Sequence, residues 1–163
     1  LTTGKRGEPA DATLKTFPPK GLKMKILVAA DGSEYTKRML AYLAAHDEWL
    51  GSHHAYTVVT ATPALPSRVT GALDKEVVKT YYADEAEKVF KPIRTFFAKQ
   101  GLAAKFEARV GPAADEIVAL ANKGAYDLLV MGSHGHGVMG SLVLGSVTTK
   151  VLGNSKLPVL IIR

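Results

Sequence analysis

The stretch VMGSHGHGVMGSLVLGSV, residues 130–147, sets Gly132, Gly135, Gly137, Gly140 and Gly145 among Ser133, His134, His136, Ser141 and Ser146, between two apolar runs. Glycine admits positive φ and lets backbone N–H groups come close to a partner, yet it costs conformational entropy that a shorter loop would save. The chemistry such a loop offers is that of a ligand cradle. A second candidate is ADGS, Ala30–Ser33, where Asp31 places a carboxylate at the end of an apolar run.

Spacing separates the readings of the glycine segment. A P-loop needs GxxxxGK[ST]; Gly132 to Gly137 and Gly135 to Gly140 each give GxxxxG, but Val138-Met139 and Ser141-Leu142 follow, which rejects it. The dinucleotide fingerprint GxGxxG is present as Gly135 to Gly140, yet no Asp or Glu occurs after Gly140 to hold a ribose. Ser133 and Ser141 lack the flanking glycines of a nucleophile elbow, and no paired carboxylates stand at the strand ends. His134 and His136, with His53 and His54 elsewhere, raise a metal reading, but there is no cysteine and no HExxH, and the alternating pair on the loop reads as surface residues. No catalytic residue is assigned: Asp31 and His136 are weak candidates for a general base.

The elements that must position these residues alternate strand and helix. Ile26–Ala30 is a short apolar run closed by DGS; Glu34–His46 then places Met39, Leu40, Leu43 and Ala44 on one helical face, with Ser33 as N-cap. AYTVVTA (residues 55–61) is the second strand, and a loop with Pro63 and Pro66 leads to a helical pattern over residues 73–99. Pro92 should kink or interrupt it. LAAKFEARV (102–110) reads as a third strand with Phe106, Ala108 and Val110 on one face, and Gly111-Pro112 starts a helix that Gly124 ends. YDLLVM is the fourth strand; a short helix over 146–152 and the run LPVLIIR follow.

Five strands separated by four helical segments, with apolar runs too continuous for a one-sided sheet, define an α/β class. The sheet is doubly wound, five-stranded and parallel, with helices on both faces. Ligands bind such sheets beyond the carboxyl ends of the strands, where strand order reverses, so the loops after strands one and four are where a site belongs.

Composition narrows the function classes. At 163 residues and 47% hydrophobic, the chain is a globular domain with a substantial core. No stretch approaches the roughly 20 apolar residues of a membrane helix. The net charge of +6 divides unevenly: residues 1–23 carry Lys5, Arg6, Lys15, Lys20 and Lys23 against Glu8 and Asp11, leaving +3 for the rest. A body so mildly basic, without interleaved aromatic and basic residues, does not read as a nucleic-acid binder. The absence of cysteine excludes disulfides and thiol catalysis.

A third reading of the loop uses Gly132, two residues, Gly135, nine residues, Gly145 and Ser146. This G-x2-G-x9-G-[ST] pattern resembles that of the ATP-binding members of the universal stress protein family, and the likeness runs from Met24 to Arg163, including the strand that ends in Asp31 and the closing PVLIIR. The resemblance implies an adenine nucleotide alpha-hydrolase-like fold and a site for ATP, with Mg²⁺. Carried over by position, Gly132 and Gly135 would lie against ribose and the first phosphates, and Gly145, Ser146 and Val147 against the outer ones. Asp31 would accept hydrogen bonds from adenine or ribose, or act on phosphate-bound Mg²⁺ through water. Ala29 and Met131 would back adenine, and an adenine-contacting position on strand two falls at Ala61 or, in another register, at Val59. Members often carry Arg where this chain has His136.

The resemblance implies a nucleotide-responsive stress sensor or regulator, with slow ATP hydrolysis at most, and a homodimer paired through the C-terminal strand, whose apolar edge needs cover. A flavodoxin-like FMN carrier and an interaction module without nucleotide stand as alternatives. An ATP-pyrophosphatase reading lacks the SGGxDS loop after strand one. Residues 1–23, rich in Gly, Pro, Thr and Lys, read as an extended tail before a domain at 24–163. Without a membrane helix the expected place is the cytoplasm, or the periplasm if the tail follows a removed signal peptide.

Overall fold

The computed structural model describes residues 22–137 and 143–163. In chain order the elements are β1 (Lys25–Ala29), α1 (Glu34–Ala45), α2 (Asp47–Leu50), β2 (Ala55–Thr62), α3 (Ser67–Thr70) and α4 (Lys75–Lys99). They continue with β3 (Ala104–Val110), α5 (Ala113–Lys123), β4 (Leu128–Gly132), α6 (Ser146–Asn154) and β5 (Val159–Ile162). All five strands are parallel, in the order β3-β2-β1-β4-β5. The chain steps outward from β1 to β2 and β3, then crosses back to β4 on the other side of β1. The reversal therefore lies between β1 and β4.

The period of two along β1 divides the core. Ile26 and Val28 point to one face, where they meet Met39, Leu40 and Leu43 of α1 and Ala86, Phe90, Ile93 and Phe97 of α4. Leu27 and Ala29 point to the other, against Ala114, Ile117, Leu120 and Ala121 of α5 and Val151 of α6. Ile26, Leu27 and Val28 are fully buried, and each such side chain contributes about 1.5–3 kcal/mol over an exposed position. Covering both faces is what makes the apolar runs continuous. Among the described residues, no helix is long and apolar enough to cross a membrane.

The long helical pattern is α4, which Asp74 caps through a bond from Glu76 N to Oδ1 (2.8 Å), and α3 is one further short helix in the proline-containing loop before it. Pro92 does not interrupt α4, which runs unbroken for 25 residues. Pro92 lies on the exposed side, so the carbonyl left without its N–H donor faces water. On β3 only Phe106 of the expected apolar face packs into the core; Ala108 and Val110 are exposed because β3 is an edge strand. Of the tail, residues 1–21 lie outside the described residues.

Candidate functional site

A cavity of about 490 Å³ opens beyond the carboxyl ends of β1 and β4, at the reversal of strand order. Its floor is apolar: Ala29 ends β1, Val59 and Ala61 come from β2, Met131 from β4 and Ile117 from α5. Its rim is the turn after β1, the loop after β4 and the first turn of α6. The sequence-derived set, Ala29, Asp31, Ala61, Met131, Gly132, Gly135, Gly145, Ser146 and Val147, converges entirely on this cavity, and Val59, the alternative to Ala61, lines it too. Gly140 and Ser141, which entered the rejected motifs, lie outside the described residues.

The turn after β1 is built around Asp31. Gly32 takes φ +78°, a conformation that glycine adopts without penalty. This bends the chain so that Asp31 Oδ1 accepts from Ser33 N (3.0 Å) and from the Thr36 hydroxyl (2.9 Å), while Ser33 Oγ accepts from Thr36 N (3.4 Å) and caps α1. The other carboxylate oxygen faces Gly135, where a Cβ would stand only 2.5 Å from Oδ2. His136 Nε2 donates to the backbone oxygen of Asp31 (2.7 Å), tying the glycine loop to this turn across the cavity mouth.

The opposite rim is held from below. Ser133 N donates to Ile162 O (2.7 Å) and Gly145 N donates to Ser133 O (2.9 Å), which brings the start of α6 back beside the end of β4. Thr148, buried, donates its hydroxyl to Gly132 O (3.1 Å). Gly145 occupies the N-cap position and Ser146 is the first helical residue, one place later than a capping serine, with no side-chain cap bond. The first bond along α6 runs from Thr149 N to Gly145 O (2.9 Å). The N–H groups of Ser146, Val147 and Thr148 therefore have no acceptor within the helix and stand at its positive end.

Chemically the arrangement suits binding: an apolar floor and, at the rim, N–H donors at the positive end of a helix. Among the described lining residues there is no Lys or Arg; the titratable groups are Asp31, His134 and His136. Ser133 and His134 are hydrogen-bonded (Oγ to Nδ1, 3.0 Å), but Ser133 is fully buried and presents no nucleophile to the cavity. The sequence reading missed Thr36, Thr148, Ile117 and Ala113. A threonine three residues after an N-cap, and another three after Gly145, are the signals that Thr36 and Thr148 left.

This geometry defines an α/β protein with a cavity at the switch point of its sheet. The sequence pattern of the Universal stress protein family matches residues 24–163, and the chain belongs to that family. It is similar to Universal stress protein MJ0531 of Methanocaldococcus jannaschii, 29% identical over 147 residues that cover 88% of this chain and 84% of the relative. Among solved structures, it resembles a universal stress protein in complex with cAMP, with a TM-score of 0.63 and 23% identity over 86% of this chain and 97% of the other. It also resembles the Archaeoglobus fulgidus universal stress protein in complex with dAMP, with a TM-score of 0.60 and 24% identity over 86% and 98% of the two chains.

Proposed function

We propose that the cavity binds an adenine nucleotide, ATP with Mg²⁺, and that the chain is a nucleotide-responsive stress sensor or regulator whose ATP hydrolysis is slow at most. The observation that carries this reading is the convergence of Gly132, Gly135 and the free N–H groups at the start of α6 on the rim of one cavity with an apolar floor. Support also comes from the family members whose structures hold cAMP and dAMP. Adenine occupies the floor formed by Ala29, Val59, Ala61 and Met131, with Asp31 within reach of adenine or ribose donors; the phosphates lie toward Gly145, Ser146 and Val147.

The donor set fits a phosphate-borne magnesium ion. The described lining offers one carboxylate, Asp31, whose Oδ1 already accepts two bonds, too few ligands for a protein cage and compatible with Mg²⁺ held by phosphates and water. The ion would neutralise charge that the described lining residues, lacking Lys and Arg, leave to the N–H donors. Ligand contact with Gly132, Gly135 and Gly145 alters the surface they carry, which is the signal to a partner. In the same reading two copies pair through β5, the edge strand on the side of β4.

Calorimetric titration of ATP–Mg²⁺, AMP, cAMP, GTP and FMN tests the site. Saturable binding of adenine nucleotides with weaker GTP is expected. No adenine nucleotide binding, or FMN bound in preference, overturns the reading. Sedimentation at micromolar concentration should show a dimer; a monomer refutes the pairing through β5.

A further inference from the structure

We propose that His134 is a positioning residue whose imidazole fastens the start of α6 to the end of β4, and so aims the N–H groups of Ser146, Val147 and Thr148 at a phosphate. The proposal rests on the nucleotide reading above for the identity of the anion. Its structural basis does not. His134 Nε2 donates to Val143 O (2.5 Å), across nine positions of sequence, while Nδ1 accepts the hydroxyl proton of Ser133 (3.0 Å).

Both ring nitrogens are thus engaged with the protein, so the ring acts through the backbone it holds. Its own anchor is firm. Ser133 is fully buried, its N–H is bonded to Ile162 O and its carbonyl accepts from Gly145 N. The Tyr35 ring lies 5.0 Å from the imidazole, and Tyr35 is in turn covered by the Arg38 guanidinium at 5.2 Å. A Cβ at Gly145 would come within 3.2 Å of His134 Cα and 3.3 Å of Ser133 O, so the two strands of the loop are in close contact at its base. His134 closes the next rung of that contact, two residues before the helix cap. Without it, Gly145 N to Ser133 O and the Thr148 hydroxyl to Gly132 O still join the start of α6 to the end of β4, but the segment from Val143 into the first turn loses one of its ties.

The test compares His134→Ala and His134→Gln with the wild-type chain, using adenosine and AMP as paired probes and amide hydrogen exchange without ligand. Glutamine keeps an N–H donor for Val143. For His134→Ala, AMP affinity should fall about tenfold, the worth of a well-placed hydrogen bond, with adenosine affinity unchanged. Exchange at 143–148 should quicken while the sheet amides keep their protection, and His134→Gln should recover most of both effects. Unchanged AMP affinity in His134→Ala, or an equal loss for adenosine, overturns the proposal while leaving the nucleotide site intact. If the wild-type chain binds no adenine nucleotide, the functional reading fails; unchanged exchange at 143–148 then refutes the fastening on its own. Should His134→Ala fail to fold, Ser133→Ala, which removes the hydroxyl orienting the ring, carries the same comparison.

Discussion

Gly135 is the position where one methyl group should do the most damage. A Cβ there would lie 2.5 Å from Asp31 Oδ2, about 1 Å inside ordinary non-bonded contact. The carboxylate is not free to swing away, since Oδ1 is held by Ser33 N at 3.0 Å and by the Thr36 hydroxyl at 2.9 Å. Relief requires either giving up those bonds or moving the loop that carries Gly135. Hydrogen bonds to a charged acceptor are worth about 1.5–3 kcal/mol each, and water recovers part of that at a half-buried carboxylate. Gly135→Ala should therefore lose about 2 kcal/mol, or roughly 30-fold in nucleotide affinity if the loop moves instead. Gly135 is not among the positive-φ glycines, so alanine brings no backbone strain and the contact alone is tested. The assay is a double-mutant cycle by urea unfolding and calorimetric titration. In an Asp31→Ala background the stability cost of Gly135→Ala should shrink to under about 0.5 kcal/mol. Equal cost in both backgrounds, or wild-type stability and affinity in Gly135→Ala, refutes the reasoning.

Ser33→Ala removes the acceptor for Thr36 N and should cost about 1 kcal/mol in urea unfolding, with Ser33→Asn retaining most of the stability; equal losses in the two variants would deny the cap its role. His54 supplies a pH dependence. It is buried, accepts from Met24 N at Nδ1 (3.1 Å) and donates from Nε2 to Trp49 O (2.7 Å), and burial holds its pKa below the ordinary histidine value. The unfolded chain then takes up the proton first, so this stability is complete above the ordinary value of about 6.5, declines as pH falls below it, and levels off once the folded imidazole also protonates. Urea midpoints at neutral and mildly acidic pH should differ more in the wild-type chain than in His54→Asn; the same difference in both would rule the mechanism out.

How much of this was legible in the sequence depends on how far apart the interacting residues lie. The strands were readable because β1, β2 and β4 are covered on both faces, so Ile26–Ala29 and Leu128–Met131 are apolar without a break. The glycine pattern pointed to the cavity because its spacing spans one local event, the exit from β4 and the return to α6. Contacts between distant segments left no such trace. His136 bonds Asp31 O across 105 positions, and only the pairing of β1 with β4 brings them together. Pro92 does not interrupt α4 for the opposite reason: its local rule is sound, but the carbonyl it orphans faces solvent. Ala108 and Val110 alternate correctly and still stay exposed, because alternation fixes the side of a strand and not whether a helix covers it.

Charge shows the same division between composition and placement. The chain carries a net +6, yet the described cavity lining includes no Lys or Arg. Three cations on the helices are paired with carboxylates of the same helix: Lys37 with Glu34, Lys79 with Glu76, Arg94 with Glu87. Lys150, on the helix whose first turn forms the rim, turns to Asp115 of α5 at 2.7 Å. Exposed pairs of this kind contribute little to stability. What the rim offers an anion is the field of unpaired N–H groups at the start of α6. Those donors exist wherever a helix begins; what aims them is the return of the chain from Gly132 to Gly145 and the close approach its glycines permit. The electrostatics of this site are therefore written in glycine spacing, and the count of basic residues carries no information about them.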